Sequence, residues 1–158
     1  MIVRTTNTAS GSLTGTELAA WRGMLRVYAA VFRDLDAELQ AAHDLPLSSY
    51  EVLQALHEAP KCELRMAELA DHVLLSRSGL TRLADRLEGE GLIERCPCPT
   101  DARGSFASLT DEGRRRFRAA QKTHLTGVRE RFLAPFETHE LGRLAQYWER
   151  LLPGAVTD

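Results

Sequence analysis

Leu75-Ser76-Arg77-Ser78-Gly79-Leu80-Thr81-Arg82-Leu83-Ala84-Asp85-Arg86-Leu87-Glu88-Gly89-Glu90-Gly91-Leu92-Ile93-Glu94-Arg95 is the stretch on which the fold turns. Ser76 has the chemistry of a helix N-cap, because its hydroxyl can accept from an orphan amide of the first turn. Leu80, Leu83, Ala84 and Leu87 then share one side of a helical wheel. Ser78, Thr81, Arg82 and Asp85 share the other, flanked by Arg77 and Arg86. This helix is expected to run to about Glu90, where Gly91 suits the left-handed closing position. From Leu92 the period changes. Leu92 to Cys96 and Ser105 to Leu109 read as two short strands, with hairpin-loop chemistry from Pro97 to Gly104 between them.

Just upstream, Met66 to Val73 is a short helical pattern with Leu69, Ala70 and Val73 inward, and Leu74-Leu75 form a tight connection. Two short helices across a tight turn, then a hairpin, is the order of a winged helix-turn-helix. A helix of this kind enters a DNA major groove, where Arg can bond both acceptors of a guanine and Ser or Thr can reach bases or phosphates. Asp85 would repel phosphate, so it is expected to pair with an Arg and aim it, either Arg82 at i−3 or one on the partner helix. Arg103 lies near the hairpin tip, two residues after Asp101. An Arg there suits a narrow, strongly negative minor groove, and Pro97 and Pro99 stiffen its approach. The plainer readings are a solvated helix face and a surface Asp-Arg pair of little energetic worth.

On the N-terminal side, Thr14-Gly15-Thr16-Glu17 is a capping box. Leu18, Trp21, Leu25, Tyr28, Phe32, Leu35 and Leu39 follow at alternating spacings of 3 and 4, with Met24, Val27 and Val31 beside them. A helix from about 14 to 42 is on the order of 43 Å long, more than a small domain covers, so a second chain is the expected cover. Pro46 stops this helix. Ser48-Ser49-Tyr50-Glu51 is expected to cap a second one carrying Val52, Leu53 and Leu56, ended by Pro60. On the C-terminal side, Thr110-Asp111-Glu112-Gly113 opens a long helix with Phe117, Leu125, Val128 and Phe132. Thr138 is expected to cap a last helix with Leu141, Leu144, Ala145, Trp148, Leu151 and Leu152 on one side.

The chain has 158 residues, 44% hydrophobic and 27% charged, which fits one globular domain and excludes wholesale disorder. Its longest apolar run, Val27 to Phe32, is far short of the roughly 20 residues that cross a bilayer. The first residues lack the apolar core of a signal peptide, and three cysteines imply no disulfide framework. A cytoplasmic protein is expected. Net charge is −2, and residues 61–118 reach only +1, so bulk charge decides nothing about nucleic acid. Placement of individual arginines must.

Leu75-Ser76, Leu80 to Glu88, Gly91 to Arg95, Asp101-Ala102-Arg103 and Leu109 to Gly113 together resemble the MarR family of bacterial transcription regulators. The resemblance runs from about 14 to 152. It implies a mainly α fold with a small β-hairpin wing, a winged helix-turn-helix domain flanked by N- and C-terminal dimerisation helices. On that reading residues 1–13 are a flexible arm, 14–45 and 111–152 the dimerisation helices, 47–110 the DNA-binding lobe and 153–158 a tail. It further implies a homodimer on a pseudo-palindromic operator, repressing its own or neighbouring promoters. Ser76, Arg77, Ser78, Thr81, Arg82 and Arg86 would be recognition-helix contacts, with Asp101 and Arg103 in the wing. The Cys96-Pro97-Cys98 run departs from the family pattern, as does the poor cap before Met66.

Members of that family respond to small aromatic acids, metals or oxidants. For a small aromatic effector, Trp21, Tyr28, Tyr50 and His57 would line a pocket, with Arg22 or Arg26 meeting a carboxylate. Plain core and interface packing is the other reading of those residues. Cys96 and Cys98 lie between Arg95 and Arg103, so a thiol switch in the wing stands beside the reading of incidental reduced thiols. His43, His57, His72, His124 and His139 are scattered, and Cys-x-Cys alone is no ligand set, so neither metal nor cofactor is expected. Enzyme activity is not expected either: a thiol enzyme at Cys96 or Cys98 lacks a nearby His. The remaining rival is a winged-helix module that binds protein rather than DNA.

Overall fold

Thr14 begins the first helix, α1 (Gly15–His43), with a reciprocal cap. Glu17 N–H donates to Thr14 Oγ1 at 3.3 Å, and Thr14 N–H donates to Glu17 Oε2 at 2.8 Å. The computed structural model describes residues 11–73, 75–98 and 101–156, without the side chains of residues 77, 98 and 101–104. After α1 come α2 (Leu47–Glu58), β1 (Glu63–Arg65), α3 (Met66–His72) and α4 (Arg77–Gly89). The hairpin β2 (Ile93–Cys98) and β3 (Asp101–Leu109) precedes α5 (Asp111–Val128) and α6 (Thr138–Leu151). Leu74 in the helix-turn-helix connection and residues 1–10 of the expected arm lie outside the described residues.

Four local expectations meet a different outcome. Ser48-Ser49-Tyr50-Glu51 does not cap α2: the cap position is Pro46, and Leu47 N–H donates to Asp36 Oδ1 of α1 at 2.7 Å. A carboxylate from the neighbouring helix replaces the local hydroxyl and also suits the positive end of α2. Thr138 is the first residue of α6 rather than its cap; the cap position is Glu137, whose N–H donates to Glu140 Oε2 at 2.9 Å. Both hairpin strands extend further toward the tip than expected, with Cys98 in register with Asp101. The three residues of β1, too short to show alternation, add a third strand, giving the antiparallel order β1-β3-β2.

One apolar core joins the helix-turn-helix lobe to the long helices. Leu69, Leu80, Leu87 and Ile93 pack in the same cluster as Tyr50, Phe117, Leu35 and Leu39. Gly127 lets α5 approach α1: a Cβ there would lie 2.6 Å from Leu35 Cδ2 and Glu38 Oε2. The chain beyond α5 widens into a π-helical turn, Arg129–Leu133, from which Arg131 pairs with Glu38 and Asp34 of α1. At the C-terminus of α1, about a turn beyond Glu38, Arg116 donates to the carbonyls of His43 at 3.1 Å and Asp44 at 3.2 Å. A cation there satisfies carbonyls that a helix C-terminus leaves without partners.

An aromatic stack carries the joint between α2 and α5. Tyr50 lies 5.3 Å from Phe117 and 4.4 Å from His124, and His57 lies 4.7 Å from Phe117, centroid to centroid. Burial, with Glu58 adding its charge, pushes the Tyr50 hydroxyl up to about 12. Burial also holds His124 below its ordinary imidazole range. A group whose folded pKa is depressed binds its proton more readily when unfolded, so its neutral form stabilises the fold above about pH 6.5. That contribution is lost as pH falls from there through the folded value. The wild type is therefore expected to lose thermal stability between pH 7 and pH 5 faster than His124→Leu does. Parallel melting curves for the two across that range would remove His124 from the account.

Candidate nucleic-acid interface

The helix wheel read from sequence is the one the structure has. Leu80, Leu83, Ala84 and Leu87 are buried, while Ser78, Thr81, Arg82, Asp85 and Arg86 are exposed on the opposite side of α4. Ser76 Oγ accepts from Gly79 N–H at 3.2 Å and lies 3.3 Å from Ser78 Oγ, so the start of the helix is held by its own hydroxyl. Gly91 takes φ +72, as the closing position requires. Thr110 Oγ1 donates to the carbonyls of Gly91 at 2.8 Å and Leu92 at 3.0 Å, and accepts from Gly113 N–H at 2.9 Å. A single threonine thus joins the end of the recognition helix, the root of the wing and the start of α5. A Cβ on Gly113 would stand 2.0 Å from Leu92 O, which is why glycine occupies the joint.

Asp85 does not aim Arg82. Its Oδ1 lies 2.7 Å from Arg95 Nη2, and Arg95 also donates from Nε to Glu88 Oε2 at 2.9 Å and pairs with it through Nη2. The Arg95 backbone N–H adds a bond to Glu88 Oε1 at 3.1 Å. These hydrogen bonds hold the Glu88 carboxyl below the usual carboxylate range and raise the Arg95 guanidinium. The i, i+3 spacing of Asp85 and Glu88 puts both on one side of α4, facing the returning strand β2 rather than the next turn. Arg82 forms no ion pair among the described residues.

Arg86 points back as well as out. Its Nη2 donates to the buried hydroxyl of Ser49 at 2.7 Å, and its Nε lies 3.8 Å from Glu90. Ser49, expected in a cap, instead fixes α4 to α2. Of the wing residues, Asp101 and Arg103 belong to β3, and their side chains, like that of Arg77, lie outside the described residues. Cys96 is exposed on β2, and the side chain of Cys98 is likewise outside the description.

The six residues expected to share an effector pocket fall into two groups, one on α2 and one on α1. Tyr50 and His57 are spent on the stack against Phe117, and Trp21, Arg22, Arg26 and Tyr28 are exposed along α1. Sequence spacing could not show that α2 turns its aromatics toward α5 instead of toward α1. Tyr28 alone of the six lines an open groove of about 280 Å³, shared with Met24, Val31, Phe32, Phe132 and Trp148. The groove continues an uncovered apolar face: Trp21 is 53% exposed, Leu25 45%, Tyr28 52% and Leu151 73%. Single exposed apolar residues are ordinary, but a contiguous face of this kind marks an interface.

A model of the MarR family matches residues 43–104. An HTH-type transcriptional regulator of Bacillus subtilis, YxaD, is 32% identical over 117 residues, which cover 74% of this chain and 80% of that protein. The chain spans about half the length of a second relative from that bacterium, the HTH-type transcriptional regulator MhqR, at 32% identity over 71 residues. Among solved structures, the Streptomyces coelicolor MarR family regulator AbsC superposes with a TM-score of 0.84 at 32% identity, over 90% of this chain and 95% of that one. Sco3205, from the same organism and solved in complex with DNA, gives a TM-score of 0.84 at 33% identity, over 94% and 95% of the two chains. No helix among the described residues is long and apolar enough to cross a membrane.

Proposed function

The chain belongs to the MarR family of DNA-binding transcription regulators, and from that premise we propose that it works as a cytoplasmic homodimeric repressor without catalytic activity. Two recognition helices would enter successive major grooves of a pseudo-palindromic operator while two wings reach the flanking minor grooves. The observation that carries this is the polarity of α4, whose buried leucines leave Ser78, Thr81 and Arg82 together on the outer side. Ser76, Arg77 and Arg86 flank them, and Asp101 and Arg103 complete the proposed contact set from β3. Within this set Ser76 acts chiefly as the cap and Arg86 as a phosphate contact that also ties α4 to Ser49. Residues 14–45 and 111–152 would form the dimerising part, supported by the apolar face they leave uncovered. Among the described residues, none that lines the groove beside Tyr28 is a cation, so a second copy of the chain fits it better than an aromatic acid does.

Selection of bound duplexes from a random pool, followed by footprinting, tests the proposal. Two protected half-sites about 34 Å apart are expected, with affinity falling steeply as salt rises. Arg103→Ala is expected to weaken operator binding by about 1–3 kcal/mol while leaving the circular-dichroism melt unchanged. Equal affinity of that variant and the wild type in a gel-shift titration would reject the wing contact.

A further inference from the structure

We infer that Arg95 is the positioning residue that makes the wing and the recognition helix read DNA as one rigid body. The inference rests on the DNA-binding reading above and concerns how its two contacting elements are held in register. Arg95 lies near the start of β2, opposite Ala107 of β3, and its side chain is only 26% exposed. It spans to two carboxylates of α4, Asp85 at 2.7 Å and Glu88 at 2.9 Å, while its own backbone N–H donates to Glu88 at 3.1 Å. A planar guanidinium bonded to two acceptors, plus a main-chain bond beside it, fixes direction as well as distance.

The leverage is geometric. The strand runs from Arg95 to Cys98, three residues at about 3.3 Å each, or roughly 10 Å of arm. A pivot of about 10° at the root therefore moves the tip by about 2 Å, which is enough to lose a hydrogen bond in the minor groove. The same clamp solves an electrostatic problem. Asp85 and Glu88 stand on the helix proposed to face phosphate, and Arg95 draws both toward β2 and offsets one of their two charges. Thr110 holds the other side of the wing root through Gly91 and Leu92. With the Arg95 side chain gone, the strand keeps its main-chain bond to Glu88 and the Thr110 joint, neither of which fixes its angle to α4 as the forked guanidinium does.

The test uses the full-length chain and a duplex that the wild type selects from a random pool. Arg95→Met is expected to lower affinity for that duplex about 10- to 100-fold while affinity for an unrelated duplex changes less than about threefold. In hydroxyl-radical footprints the minor-groove protection assigned to the wing is expected to vanish, while protection of guanine N7 in the major groove from dimethyl sulfate persists. Arg95→Lys, which can reach one carboxylate but cannot fork, is expected to fall between. Glu88→Gln, at a partly exposed position, carries the same comparison where Arg95→Met folds poorly. A folded variant of either kind that keeps the wing footprint and the specific-to-nonspecific ratio overturns the inference. Failure of the wild type to select any duplex would instead count against DNA binding itself.

Discussion

Tyr28→Glu is expected to leave each protomer folded and to abolish pairing. Tyr28 is half-exposed in the single chain and touches its own helix through Phe32, ring centroids 5.3 Å apart, so the isolated fold loses little. In a pair closed over the face of Trp21, Leu25 and Leu151, the new carboxylate would be buried without a partner, at a cost of about 3–5 kcal/mol. A two-fold interface contains the substitution twice, which raises the total to about 6–10 kcal/mol and the dissociation constant by about four to seven powers of ten. Operator binding should fall with it, because a lone lobe loses the roughly 10²- to 10⁴-fold gain from holding two half-sites together. Sedimentation equilibrium reads the first effect and a gel shift the second. A variant that still sediments as a pair would move the interface elsewhere on the molecule.

Phe117→Ala is expected to cost about 3–5 kcal/mol, a large share of a typical stability of about 5–15 kcal/mol. Phe117 is fully buried between the rings of Tyr50 and His57 and, with His124, is a side chain by which α5 grips α2. Removing the ring leaves a cavity that two stiff helices cannot close. Phe117→Leu keeps most of the volume and should lose less than about half as much. Urea titration checks both, with the midpoint falling and the slope unchanged. A loss below about 1 kcal/mol for Phe117→Ala would mean that the joint lies elsewhere. Loss of this contact should also weaken DNA binding, since the stack links the helix-turn-helix lobe to the helices proposed to pair two copies of the chain.

Much of the lobe is legible in the sequence. Ser76, Gly91, Thr110 and the Leu80-Leu83-Ala84-Leu87 stripe stand where the sequence places them, because caps and helical periodicity are decided within three or four residues. The outer side of α4 follows from the same wheel. The short strand β1 was not legible: three residues carry too little pattern, and pairing with β3 is what makes them a strand.

The chain by itself determined which segments become helices and which residues of α4 are buried, and it leaves a long apolar seam on α1 for which a cover is proposed. Only the tertiary structure decided which partner each polar group took. Asp85 found Arg95 instead of Arg82, Ser49 found Arg86 instead of its own helix, and Leu47 found Asp36. Tyr50 and His57 turned to Phe117 and left Tyr28 at an open groove. The physical reason is one of range. Backbone geometry and caps are satisfied by neighbours a turn away, whereas a guanidinium or a ring takes whichever partner the packing of distant elements brings within a few ångströms.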